Sequence, residues 1–257
     1  MRVIVDPEIF LTYRAKDIQT ALSDSPTCVD VQEDPVKALQ RLDDFSYDQA
    51  PVTSDGVIVG WLLTGDLKKS LDVNLAYNRL SQKDLISSHS PLNEALQRLT
   101  KQELIFLVGA EGIEGFVVRS DIERHVSRAH FYLLISGLEI VMSRIVNRDV
   151  TNSQQLIDLM KPSSKIAWEN AKFRNIDANP IEYLDLRALG SAISLIQPSL
   201  NHLGLKKEIW LNYITLLTNL RNWVAHSNTD ELNRASFFDI VDLMNKTESY
   251  IRKLIAY

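Results

Sequence analysis

The hydrophobic rhythm of the chain changes near its middle. From about residue 126 onward, apolar positions recur at helical spacing. The longest such run is Glu208 to Leu220, continued by Arg221-Asn222-Trp223-Val224-Ala225-His226. At about 100° per residue, Trp210, Ile214 and Leu217 form one stripe that Arg221 continues. Ile209, Tyr213, Leu216, Leu220 and Trp223 form a second. A surface helix needs one apolar stripe. Two imply burial on two sides, one against its own bundle and one against a second copy of the chain. Ser227-Asn228-Thr229-Asp230 predicts a helix stop and a new N-cap, with Asn228 and Glu231 as a loose capping box. Phe237, Ile240, Val241, Met244, Tyr250, Ile251 and Leu254 give the last helix its period. Upstream, a long helix is expected from Ser127 to about Asn147. A short one follows, capped near Thr151-Asn152-Ser153 and ending at Met160-Lys161-Pro162. Residues 166–179 are ambiguous, and Pro180 opens a helix carrying Glu182 and Asp185. The second half is therefore expected to be all-α, with four or five helices.

The first half has another pattern, and it occurs twice. Ala38-Leu-Gln-Arg-Leu42 returns as Ala95-Leu-Gln-Arg-Leu99, each after a proline, Pro35 or Pro91. An extended apolar segment follows each copy, then a glycine-led strand: Gly60-Trp-Leu-Leu-Thr-Gly-Asp-Leu67 and Gly115-Phe-Val-Val-Arg-Ser-Asp-Ile122. The two matches are offset by 57 (95 − 38) and 55 (115 − 60) positions. Each unit predicts strand, helix, strand, strand, helix, with Ser54-Asp-Gly56 as the turn of a hairpin. Val57 to Leu63 is apolar enough to be buried, and Asp66 and Asp121 are placed at the start of a following helix. Neither copy can bury a good core alone, so the two are expected to pack as a pseudo-symmetric pair.

Tyr47 to Leu67, and more loosely Glu103 to Ile122, resemble the repeat of tandem CBS domains, the Bateman module. The resemblance covers about residues 18 to 125, with repeats at about 18–70 and 80–125. It implies an α+β pair that dimerises and binds an adenosine-bearing ligand between its repeats: an adenine nucleotide (AMP or ATP) or S-adenosylmethionine. In that family a carboxylate six positions after the leading glycine accepts hydrogen bonds from both ribose hydroxyls. Asp66 and Asp121 hold that position. The family's hydroxyl, three positions after the glycine, is replaced by Leu63 and Val118, with Thr64 and Ser120 displaced beside them. Nucleotide-binding candidates are thus Asp66, Asp121 and Thr64. A helix N-cap is the plain alternative for either aspartate, and one residue can serve both purposes.

Composition adds limits. At 257 residues, 45% hydrophobic and 24% charged, the chain suits one large or two medium globular domains. One cysteine, Cys28, excludes an intrachain disulfide and fits a reducing compartment. The N-terminus lacks a signal peptide's apolar core. Phe131 to Met142 is the nearest approach to a membrane span, and Glu139 interrupts it. A cytoplasmic protein with no membrane partner is expected. No His, Cys, Asp or Glu set has metal-ligand spacing, so no metal is expected. His125 and His130 flank the join between the halves and are expected to be surface or core histidines. Charge is uneven. Residues 1–125 hold 13 Lys/Arg and 20 Asp/Glu (13 − 20 = −7), and residues 126–257 hold 15 and 13 (15 − 13 = +2). The second half can tolerate nucleic acid, though it is less basic than a dedicated binder.

By residue type alone, an arginine and a histidine at a helix end read as salt-bridge formers with nearby acids and as a cap that compensates the helix dipole. The order Arg221-Asn-x-x-Ala-His226, at the end of a long apolar helix, also resembles the Arg-polar-x(3–5)-His motif of HEPN domains. Pro180 to Leu189 resembles a segment upstream of that motif, and the likeness covers roughly residues 126 to 257. It implies an all-α HEPN-like bundle acting as a metal-independent endoribonuclease of toxin or defence type. Such an enzyme requires no cofactor for catalysis. The partners it implies are a second copy of the chain, an RNA substrate, and an antitoxin or other regulator. RNA supplies its own nucleophile, the 2′-hydroxyl. His226 would be base or acid, since a histidine titrates near pH 6.5. Arg221 would hold the developing phosphorane charge, and Asn222 would orient the phosphate. The rival expectation is a non-catalytic module in which the first half senses a nucleotide and the second dimerises or docks a partner.

Overall fold

The structure, a computed structural model, describes residues 13–22, 28–174, 176–226 and 236–257, with His226 described in its backbone alone. The predicted stop and cap at residues 227–231 lie outside the described residues. The chain divides into two compact units, Leu11–Ser127 and Arg128–Tyr257.

The first unit carries the repeat. Its elements are β1 (Thr20–Ala21), β2 (Val29–Asp30), α1 (Pro35–Asp44), β3 (Gln49–Ser54), β4 (Val57–Leu63), α2 (Thr64–Ser70), α3 (Val73–Ala76), β5 (Tyr77–Arg79), β6 (Leu85–Ser87), α4 (Leu92–Leu99), β7 (Leu104–Gly109) and β8 (Gly112–Val118). They make two four-stranded sheets, β2-β3-β4-β5 and β6-β7-β8-β1. In each sheet the first pair is parallel and the other two are antiparallel. The central hairpins match residue for residue. Gln49 pairs with Leu63 as Leu104 pairs with Val118, and register slips after Val52 as it slips after Leu107. The outer strand of each sheet comes from outside its own hairpin: β5 beside β4, and β1, from the chain's early residues, beside β8.

That outer strand explains the leading glycines. A β-carbon on Gly60 would collide with the Asn78 carbonyl of β5, and one on Gly115 would lie 2.7 Å from the Thr20 carbonyl of β1. Only glycine lets the edge strand approach that closely. The repeated arginines are equally alike. Arg41 donates to the Cys28 carbonyl at 2.9 Å and pairs with Glu33, while Arg98 donates to the Leu85 carbonyl at 2.9 Å and pairs with Glu94. Each therefore pins its helix to the strand that starts its repeat.

Val29, Ala38, Leu42, Val52, Leu62 and Leu67 form one core. Leu104, Phe106, Phe116 and Val118 form another, against which Ile58 and Trp61 of the first repeat pack. Each repeat thus covers part of the other's apolar surface. The Val57–Leu63 strand is less buried than expected: Gly60 and Leu62 are buried, but Val57 is exposed.

The second unit holds seven α-helices among its described residues. They are α5 (His125–Asp149), α6 (Ser153–Asp158), α7 (Pro162–Phe173), α8 (Leu186–Ile193), α9 (Gln197–Leu203), α10 (Lys207–His226) and α11 (Phe237–Ala256). This exceeds the four or five expected. The ambiguous stretch after Ile166 is helical as far as Phe173. Pro180–Tyr183 is only a 3-10 turn, and α8 starts separately behind an Asp185 cap whose carboxylate accepts from the Ala188 N–H at 3.0 Å. By length and composition α5 could cross a membrane, contrary to expectation. However, Phe131, Leu134, Ile135, Leu138, Met142 and Val146 are buried at helical spacing, which gives it the pattern of a core helix. It meets α10 where the Phe131 ring lies 6.4 Å from that of Trp223, and α11 where Gly137 faces Ile251. Contact between α8 and α10 is close: Trp210 Nε1 donates to the Gly190 carbonyl at 2.7 Å, and a β-carbon on Gly190 would meet Ile214.

Candidate functional site

In the first unit the candidates sit where strand gives way to helix. Thr64 follows β4 and is buried. Its N–H donates to the Asp48 carbonyl at 2.9 Å, and its hydroxyl donates to the Tyr47 carbonyl. These two bonds fasten the start of α2 to the segment leading into β3. Asp66 lies in the first turn of α2 but is not its cap. Leu63 holds the cap position and offers no side-chain acceptor. The Asp66 side chain is 44% exposed, and its contact is Lys69 Nζ at 3.1 Å, an exposed pair of small worth. The carboxylate keeps the place at the helix N-terminus that favours negative charge.

Asp121 has the same position in the second repeat but different surroundings. No α-helix starts there; Arg119–Glu123 is a 3-10 turn. The carboxylate is buried. Its Oδ2 accepts from the Val118 N–H at 2.8 Å and its Oδ1 from Arg124 Nε at 2.6 Å. Arg124 also donates to the Gln19 carbonyl and to Thr20 Oγ1, which ties the turn to β1. Burial pushes the Asp121 carboxyl above the usual range, while the Val118 N–H and Arg124 act against that. The sequence reading missed Arg124, although three residues is the spacing at which an acid and a base meet on a helical turn. Ser120, the other displaced hydroxyl, is exposed.

In the second unit Trp210, Ile214 and Leu217 are fully buried, and Arg221 follows them at the edge. The second stripe is divided. Tyr213, Leu220 and Trp223 are buried, while Ile209 and Leu216 are about half exposed. Arg221 Nε lies 3.5 Å from Glu139 Oε1 of α5, and its side chain is 38% exposed. Burial raises the Glu139 carboxyl above its ordinary range; Arg221 lowers it and Asp185 raises it further. Around the pair is a shallow cleft of about 530 Å³ whose charged lining is Glu139, Glu182, Asp185, Arg144 and Arg221. Three carboxylates against two guanidiniums give it little appetite for a phosphate backbone. Asn222 is exposed. His226 is the last residue of α10, and its side chain lies outside the described residues. Arg221 and Asn222 are therefore located, and the third member of the proposed triad is not. Glu139 entered the sequence reading only as an interruption of an apolar run, and nothing in the sequence paired it with a residue 82 positions away (221 − 139). Among the described residues, no group of three or more His, Cys, Asp or Glu is placed to hold a metal ion.

No protein-family model matches the chain, and no curated protein matches it. Among solved structures, its N-terminal part is similar to CBS-domain pairs. A CBS-pair protein of Arabidopsis thaliana shows 17% identity over 46% of this chain and 96% of its own, with a TM-score of 0.40. The CBS domain of a transporter from Clostridium difficile shows 20% identity over 46% and 96%, also at 0.40. The Arabidopsis protein in complex with AMP shows 20% identity over 46% and 98%, at 0.39.

Proposed function

We propose that the first unit is a ligand-sensing CBS-type pair. It takes an adenosine-bearing molecule, AMP, ATP or S-adenosylmethionine, at its first repeat and passes its occupancy to a helical unit that dimerises or docks a partner. One contrast carries this reading. Asp66 and Asp121 hold the same place in the repeat, but Asp121 spends both oxygens on Val118 and Arg124, whereas among the described residues Asp66 meets an exposed lysine alone. A ribose presents two adjacent hydroxyl donors, and a half-exposed carboxylate held by an exposed lysine can exchange that contact and accept both. Thr64 serves by fastening the start of the helix that carries Asp66. Calorimetric titration of the whole chain with AMP, ATP and S-adenosylmethionine tests the proposal. At least one ligand binds the wild type, and Asp66→Asn abolishes that binding. Failure of all three to bind overturns it.

A second reading keeps the helical unit as a metal-independent endoribonuclease, with Arg221, Asn222 and His226 paired across a dimer. It is supported by the exposure of Asn222 and by the length of the Arg221–Glu139 contact, which leaves the guanidinium partly open. The acidic cleft lining weighs against it. Cleavage of RNA by the wild type but not by His226→Ala separates this reading from the first.

A further inference from the structure

Helix α7 is turned against the usual rule. An amphipathic surface helix buries its apolar stripe. The inner stripe of α7 is Ser164, Trp168 and Ala171, the residues of the helix that are buried or half-buried. At about 100° per residue, Ile166 and Phe173 fall on the opposite side, facing outward. Phe173 is 91% exposed, the highest value for any large hydrophobic residue among those described, and Ile176 just beyond is also exposed. The helix is held in this orientation because Trp168 Nε1 donates to the Ala178 carbonyl at 3.0 Å.

The flanks of that outward face are basic. Lys165 and Lys172 run beside it seven residues apart, with the Lys172 ammonium 4.7 Å from the centre of the Trp168 ring. Arg174 closes the far end. Residues 161–174 carry four cations, Lys161, Lys165, Lys172 and Arg174, and one acid, Glu169 (4 − 1 = +3), in a chain whose net charge is −5. Lys165 and Arg174 make no ion pair among the described residues. The two stripes run side by side for seven residues, about 10 Å of helix. That length matches about three steps of a stacked strand at 3.4 Å each.

We propose that the outward face of α7 is a docking surface for single-stranded nucleic acid. Phe173 offers a flat ring on which a base stacks, and Lys165, Lys172 and Arg174 meet the phosphates beside it. Charge selects a polyanion, and the ring beside the cations suits a strand that carries flat apolar groups and phosphates in alternation. The apolar face of α7 is small for a lipid surface, with two large apolar side chains, Ile166 and Phe173, on a helix of twelve residues. The inference stands on α7 alone and needs neither functional reading above.

The test is fluorescence anisotropy of a labelled short oligoadenylate titrated with the full chain at several salt concentrations. Binding is expected, weakening as salt rises. Phe173→Ala is expected to weaken it roughly fivefold or more with an unchanged salt slope. Lys165→Glu with Arg174→Glu is expected to make the log-log slope shallower by about 1.4. Phe173 and the two cations are exposed, so the variants should melt with the wild type. Absence of binding at low salt, or equal affinity in the wild type and Phe173→Ala, overturns the proposal. Binding to anionic phosphatidylserine vesicles without binding to the oligoadenylate overturns it in favour of a lipid surface.

Discussion

Arg221 and Glu139 meet across α5 and α10 with 3.5 Å between guanidinium and carboxylate. The pairing sets Arg221's availability. Glu139 is the more buried partner, and burial holds its carboxyl above the ordinary glutamate range. A raised folded-state value means that the folded protein binds the proton more tightly than the unfolded chain. Its stabilising share is therefore present below the usual glutamate value and is lost as pH rises through the folded one. Urea melts of the wild type should lose stability across that window, and Glu139→Gln should remove that part of the slope. If the helical unit cleaves RNA, Glu139→Gln should also raise the rate, because the cation is released to phosphate.

The pair Gly60 and Gly115 gives a sharper structural prediction. Each sits where an edge strand crosses too closely for a β-carbon. Gly60→Ala should push β5 off its sheet, and Gly115→Ala should push β1 off the other, each at about 2 kcal/mol or more. Thermal melts compared with Gly65→Ala, where a β-carbon meets nothing within 4 Å, would check this.

Arg41→Ala strips the Cys28 carbonyl and Glu33 of their donor and should cost about 1–2 kcal/mol. Arg98→Ala should cost less, since Glu94 is more exposed than Glu33. The measurement is chemical denaturation of both variants. Equal and negligible losses would contradict the pinning role of these arginines.

His130 is fully buried in α5, and burial lowers its pKa from 6.5 to about 4, with Glu248 opposing the shift. The unfolded chain therefore takes up a proton that the folded protein refuses. Stability is complete above about pH 6.5 and falls as pH drops toward about 4. The full drop is on the order of 3 kcal/mol. A His130→Gln variant should show a flatter acid limb in urea melts, and an unchanged limb would contradict the assignment.

Much of the first unit was legible. A repeated Ala-Leu-Gln-Arg-Leu and two glycine-led strands mark positions that a hairpin and its pinned helix require, and local chemistry of that kind shows in sequence. The non-equivalence of Asp66 and Asp121 was not legible, because the difference is made by Arg124 reaching back to Gln19 and Thr20 more than a hundred residues earlier. The second unit was legible as helices but not as boundaries. Pro180 suggested a helix start where the chain makes one 3-10 turn and lets Asp185 begin the helix instead. Two apolar stripes on α10 suggested burial on two sides; within one chain the first is buried throughout, while in the second Tyr213, Leu220 and Trp223 are buried and Ile209 and Leu216 are half exposed. Periodicity locates a stripe; only tertiary contact decides how much of it is covered.

The most direct test sets the two aspartates against each other. Titrate AMP, ATP and S-adenosylmethionine calorimetrically into the wild type, Asp66→Asn and Asp121→Asn, and melt all three proteins. The account predicts that Asp66→Asn folds as the wild type does and loses the ligand, while Asp121→Asn shifts the melt and keeps it. Ligand binding that survives Asp66→Asn and disappears with Asp121→Asn in a folded protein would contradict it.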